Sequence, residues 1–144
     1  MTPALSPDPL FPINCQLVPI VIVRALRGLT ADAVQSLADT GELRFVWNIN
    51  YRGKRATCPD LRFWLREVIQ PASVSKLTLP AALAMIIGTN RARFRGTELS
   101  QLLLVSSPQI HRLQKSRALP GKIVDRTLWV ARADLEKFLM ERFN

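Results

Sequence analysis

Few residues in this 144-residue chain could carry covalent chemistry. His111 is the one histidine, and the two cysteines, Cys15 and Cys58, lie far apart with neither in a CxxC pair. A structural zinc site normally takes four Cys or His ligands, so this set is too small to hold one. The carboxylates are scattered, no glycine-rich phosphate loop is present, and no nucleophile pairs evidently with a base, which argues against an enzyme and against a cofactor. Hydrogen-bond donors and positive charge remain. Ser106, Ser107, Gln109, His111, Arg112, Lys115 and Arg117 crowd into one short stretch, and Lys122 and Arg126 follow. Upstream, Arg91, Arg93 and Arg95 alternate, and Arg52, Lys54 and Arg55 fill a turn-like segment. Guanidinium groups bond paired acceptors and hydroxyls suit phosphate oxygens, so the chemistry on offer is recognition of a polyanion.

The charge balance points the same way. The net charge is +9, and no acidic residue occurs between Gln70 and Glu98. Such an excess concentrates polyanions near the surface, and nucleic acid is the commonest of them. A hydrophobic fraction of 48% and a charged fraction of 22% belong to a globular chain and exclude disorder throughout. The apolar runs Leu17 to Val23 and Ala81 to Ile87 are too short to span a bilayer. The N-terminus carries Pro3, Pro7, Pro9 and Pro12 without a basic leader, so a cytoplasmic protein is expected.

Four segments must position these residues. Residues 1–16 read as a flexible proline-rich arm. Residues 17–70 read as one unit. Thr30 caps a helix from Ala31 to about Thr40, Gly41 stops it, and Leu43 to Ile49 is strand-like. Pro59 then opens a helix with Leu61, Trp64, Leu65 and Val68 on one face. Residues 71–96 read as a helical connector with a basic end, Pro80 sitting early in a helix that stops near Gly88. Residues 97–144 read as a second unit. Thr97 caps a helix through about Leu104, Ser107 caps the next through about Arg117, a ribbon turns at Asp125-Arg126, and Leu135, Phe138 and Leu139 line a last helix. Trp47, Trp64, Trp129 and Phe138 fall on inner faces and are expected in the core.

Glu98 to Leu103, Val105-Ser106-Ser107, Ile110 to Leu113, Leu119-Pro120, Leu128-Trp129-Val130 and Asp134 to Leu139 occur in an order that resembles the excisionase/MerR-like winged helix family. The resemblance covers roughly residues 96–142. Two positions depart from it: Arg117-Ala118 stands where the family has glycine before Leu-Pro, and Val124-Asp125-Arg126 stands where glycine falls in the wing turn. The first unit reads as a divergent copy. Leu37 aligns with Leu113, Leu43 with Leu119, and Asp60-Leu61 with Asp134-Leu135, given a wing two residues longer.

The expected fold is mainly α with short β-hairpin wings, an α+β chain of tandem winged helix-turn-helix units. The resemblance implies sequence-specific binding of double-stranded DNA, by a transcription regulator or an accessory factor for recombination of a mobile element, associated with the nucleoid. In such a fold the second helix enters the major groove, which makes Arg112 and Gln109 base-reading candidates beside His111 and Lys115. Ser106 and Ser107 suit phosphate, and the wing and connector cations the backbone. The equivalent helix of the first unit carries Asp32 and Asp39, which repel phosphate. The alternative is an interaction module that binds itself, as a dimer or cooperative array, or binds a recombinase or transcription partner, with DNA contact secondary. No membrane partner is expected.

Overall fold

The computed structural model describes residues 16–50, 60–88 and 91–143. The chain is mixed α and β, with two small antiparallel sheets of three strands each. Strand β1 (Leu17–Val18) leads into α1 (Ile20–Arg27) and α2 (Ala31–Thr40), and then β2 (Val46–Asn48), β3 (Leu61–Trp64) and the short α3 (Leu65–Ile69). A 3-10 turn (Pro71–Val74) and α4 (Leu79–Ile87) connect to β4 (Arg93–Arg95), α5 (Gly96–Leu103), α6 (Ser107–Lys115), β5 (Lys122–Val124), β6 (Thr127–Ala131) and α7 (Arg132–Glu141).

The order strand-helix-helix-strand-strand-helix therefore occurs twice, and so does the sheet order. The first sheet runs β1-β3-β2 and the second β4-β6-β5. A shift of 76 positions carries α1 onto α5, the Thr30 cap onto the Ser106 cap, and β2 onto β5. Backbone bonds follow the same shift. Leu43 N–H donates to Leu37 O at 3.0 Å and Leu119 N–H to Leu113 O at 3.1 Å, while Leu29 donates to Arg24 and Val105 to Ser100, both at 3.2 Å.

The repeat closes differently from the sequence alignment. Asp60 and Leu61 do not open a helix equivalent to that of Asp134 and Leu135. Leu61 begins β3, which pairs with β2, and α3 starts only at Leu65. Leu61, Trp64, Leu65 and Val68 satisfy a helical period because a strand running straight into a helix shares those spacings. The connection from β2 to β3 spans residues 49–60, whereas Asp125 and Arg126 alone join β5 to β6. The extra length in the first copy is therefore ten residues. The connector is also shorter than expected, since Arg93–Arg95 is a strand of the second sheet.

The first sheet is buried on both faces, and this ties the halves together. Val18, Val46 and Phe63 pack with Val23, Val34, Leu43 and Val68 of the first unit. On the opposite face Leu17, Trp47 and Trp64 join Phe94, Leu99, Leu102, Leu103, Phe138 and Leu139 of the second. The indole of Trp47 donates to Leu139 O at 2.9 Å, and Asn48 N–H donates to Arg142 O at 2.9 Å. Burial lowers the Arg142 guanidinium from the ordinary arginine pKa, against the opposing pull of Glu141. Glu67 is buried, its two carboxylate oxygens accepting from Arg44 N–H at 3.0 Å and Phe45 N–H at 2.9 Å. The second sheet differs: Phe94 and Val130 are buried, but its outer face is open. Trp47, Trp64 and Phe138 lie in the core as expected, whereas Trp129 is half-buried on that open face with Arg93 stacked 4.2 Å above the ring.

Two left-handed positions recur across the repeat with different residues. Gly28 (φ 62°) ends α1, and Leu104 (φ 50°) stands at the same place after α5. Gly41 (φ 84°) follows α2, and Arg117 (φ 63°) follows α6. Left-handed backbone costs a residue with a Cβ roughly 1–2 kcal/mol, which glycine avoids. Arg117 thus adopts the conformation that Gly41 holds at the equivalent place in the first copy. Arg117→Gly should stabilise the chain by about 0.5–1 kcal/mol, or roughly 3 °C in Tm, because the relieved strain exceeds the added entropy of the unfolded chain. Gly41→Ala should lower stability by about 1 kcal/mol. Thermal and urea unfolding of both variants check the pair.

Candidate nucleic-acid interface

Helix α6 begins where a hydroxyl can satisfy its first amides. Ser106, and not Ser107, is the cap: Gln109 N–H donates to Ser106 Oγ at 3.4 Å, and Ser106 N–H donates to the Gln109 side-chain oxygen at 2.8 Å. Ser107 is the first helical residue and Pro108 the second, one position later than the sequence reading placed them. Helix α5 is likewise capped otherwise than expected. Thr97 lies inside it, and Glu98 reaches back to accept from Arg95 N–H at 2.8 Å. Ile110 and Leu113 face the core, leaving Ser107, Pro108, His111, Arg112 and Lys115 as one continuous exposed face of α6. No carboxylate lies on that helix.

Two clefts flank α6. On one side Ser107 and His111 meet Arg95, Thr97, Ser100 and Arg126 around a concavity of about 210 Å³ between α6, the start of α5 and the β5–β6 turn. Ser100 Oγ is buried there and has no partner within the described residues. On the other side Gln109 and Arg112 border a cleft of about 140 Å³ with Ile49, Asn50 and Asp60 of the first unit. The Gln109 side-chain oxygen is engaged in the cap, so reading an adenine edge with both ends of its amide requires release from Ser106. Arg112 is exposed and makes no ion pair among the described residues.

The turn that closes the first cleft is strained. Asp125 (φ 50°) and Arg126 (φ 64°) both hold left-handed backbone, the two-residue form that matches strand twist and favours Asn-Gly. Arg126 stands at a bulky-residue outlier where glycine would be relaxed, and strain of this kind concentrates at functional sites.

The remaining cations divide. Arg91 is neutralised by Glu98, with oxygens at 3.0 Å, which removes it from the set free to meet an anion. Arg93 and Lys122 lie on the open face of the second sheet around Trp129, in a shallow concavity of about 240 Å³. Lys115 and Arg117 are exposed at the end of α6. Arg52, Lys54, Arg55 and both cysteines lie outside the described residues. Asn50, Asp60 and Ser100 also border the clefts and were not among the sequence candidates. Only the hairpin register brings Asn50 and Asp60 beside α6, and no local pattern signals it.

Among the described residues no cluster of His, Cys, Asp or Glu could hold a metal, and no helix is long and apolar enough to cross a membrane. No protein-family model, curated protein or solved structure matches the chain.

The cap assignment is directly testable. Ser106→Ala should cost about 1 kcal/mol in urea unfolding, the usual value of an N-cap hydroxyl. Ser107→Ala should change stability by less than about 0.5 kcal/mol. A larger loss for Ser107→Ala would reassign the cap.

Proposed function

We propose that the second unit is a winged helix-turn-helix domain that binds double-stranded DNA, with α6 in the major groove and the β5–β6 turn against the backbone. The observation that carries the reading is the outward face of α6: Ser107, His111, Arg112 and Lys115 are exposed together, with no carboxylate among them, on a helix wedged between Arg95 and Arg126 on one flank and the first unit on the other. A helix of this size fits a major groove, and a guanidinium on it can bond guanine in paired fashion. Arg126 suits a phosphate in the adjoining cleft, with Arg95, 3.9 Å from Glu98 and largely exposed, beside it. Arg126 keeps a strained tip where a relaxed glycine would carry no charge. The first unit lacks this character: the α2 positions that match His111, Arg112 and Lys115 are Gln35, Ser36 and Asp39. We therefore read it as the scaffold. The resemblance to the excisionase/MerR-like family makes the reading finer, a non-catalytic regulator of transcription or an accessory factor in recombination.

Selection of bound sequences from a random duplex pool tests this reading, and the absence of any enriched motif together with no binding in dilute buffer would end it. Arg112→Ala should weaken the selected duplex by about 1–3 kcal/mol and relax preference at one base position. Arg126→Gly should lower affinity on every duplex alike and flatten the salt slope by about one unit, while the fold gains stability. An unchanged slope would place the turn away from DNA.

A second reading is favoured by one surface. Val21 (59% exposed), Leu26 (52%) and Ile69 (49%) are exposed apolar residues of the first unit. Arg24 and Arg27 are exposed on the same helix as Val21 and Leu26, and Asp32, Asp39 and Glu42 on α2 and at its end, with no ion pair for any of them among the described residues. Exposed apolar side chains and both signs of charge on one unit can be met by the same set on a second copy under a two-fold axis, so the partner we read is a second copy. Sedimentation velocity should show a concentration-dependent dimer that Leu26→Glu abolishes. A monomer at every concentration removes this reading and leaves the first intact.

A further inference from the structure

We infer that Arg62, a residue of the first unit, is a positioning residue for the reading helix of the second. It clamps the turn between α5 and α6 and so sets the direction in which α6 projects. The inference rests on the DNA-binding reading of α6 but is carried by separate observations.

The turn needs holding. Leu104, the first residue after α5, has φ 50° and ψ 56°. Gly28 takes this conformation freely at the equivalent place in the first copy, but a leucine persists there only where its surroundings over-determine the backbone. Arg62 supplies that constraint. Its Nε donates to Leu103 O at 2.7 Å and one terminal nitrogen donates to Leu104 O at 3.1 Å. These carbonyls close α5, where helices leave acceptors unsatisfied and where partial negative charge collects. The other terminal nitrogen meets Asp60 Oδ1 at 2.5 Å and Leu61 O at 3.0 Å, which fixes the guanidinium plane from behind. Arg62 is 5% exposed, so water does not compete for these bonds.

The clamp works in one direction. Sheet register matches Arg62, opposite Trp47, to Leu128, opposite Ile123. The second unit thus returns no charged group to the α1–α2 turn from that position. Downstream of the clamped carbonyls come Val105 and then Ser106, whose hydroxyl starts α6. Asp60, the counter-charge, borders the same cleft as Gln109 and Arg112. A charge-assisted fork bridging two units holds the entry angle of α6 as a flexible lysine would not.

The test uses the full chain and three variants: Arg62→Met, which keeps the long apolar stem and removes the fork, Leu104→Gly, and the two combined. Circular dichroism establishes the temperature at which all remain folded. Arg62→Met should lose about tenfold in affinity for the selected duplex and less than about threefold for a scrambled duplex at low salt, since the phosphate-facing cations are untouched. Adding Leu104→Gly to Arg62→Met should recover most of that loss, because glycine needs no clamp in left-handed backbone. Amide hydrogen exchange should quicken from Val105 to Gln109 in Arg62→Met and stay unchanged in α2. Equal losses on both duplexes, or no recovery on adding Leu104→Gly, would show Arg62 to be a packing residue only and overturn the proposal. If the unmodified chain binds no duplex, the DNA reading fails by itself. The exchange measurement still decides on the clamp, and unchanged protection from Val105 to Gln109 overturns it.

Discussion

The outer face of the first sheet has nowhere to go but against the second unit. Leu17, Phe45, Trp47 and Trp64 all point that way, and each is essentially without solvent contact. Two large indoles and a phenyl ring left in water would cost several kcal/mol together, at about 25 cal/mol per Å² of apolar area. Units of this size are marginal alone in any case, because a short chain buries too small a fraction of its surface. The halves are therefore folded on one another, and the C-terminal residues complete the seal by bonding to β2 from Arg142 and through the Phe143 bridge to Trp47. The buried polar contacts that cross between the halves, Arg62 to α5 and Trp47 to α7, gain their fixed geometry from this burial.

Given that constraint, the divergence of the two copies becomes intelligible. Both keep the backbone bonds that shape a helix pair, down to the left-handed residue after each helix. They differ in what the second helix shows to solvent and in what the sheet shows on its far side. In the first copy the far side of the sheet is core and the second helix is acidic. In the second copy the far side carries Arg93 and Lys122 around Trp129, and the second helix is basic. One copy has become an internal support. The other keeps an outward surface on which basic side chains predominate, with Asp125 and Asp134 at its margin. The net excess of positive charge then sits asymmetrically, which orients the chain as it approaches a polyanion.

Much of the architecture was legible in the sequence, and the gaps have physical causes. The caps at Thr30, the stops at Gly41 and Gly88, the ribbon turn at Asp125-Arg126 and the inner face of the last helix follow from local stereochemistry, which a short window contains. The helix assigned from Pro59 failed because Leu61, Trp64, Leu65 and Val68 are buried from two directions, by a strand face and then by a helix face. Burial alone does not reveal which backbone delivers it. The alignment of Asp60 with Asp134 failed for the same reason, since both precede a leucine that enters the core. Trp129 was placed in the core because strand alternation cannot tell a sheet covered on two faces from one covered on a single face. Arg62 gave no signal at all: an arginine in an apolar strand looks like a solvent-facing residue until the second unit is brought against it.

Arg62 also accounts for how one strained turn of the second helix pair, at Leu104, is held where the first pair uses glycine. Among the described residues, Leu104, Arg117, Asp125 and Arg126 are the non-glycine residues in left-handed backbone, and all four lie in the second copy. The glycines that follow α1 and α2 hold left-handed backbone without strain and need no brace. Residues with side chains at these positions trade stability for a backbone confined by its neighbours. That exchange serves no purpose in a support, whose turns need only connect. It serves a surface that must present several donors to a rigid partner in one register, where an error of an ångström in helix position loses paired hydrogen bonds outright. Strain beside the basic face of α6, with Leu104 braced by Arg62 of the first unit, is the arrangement expected if the first unit aims the second.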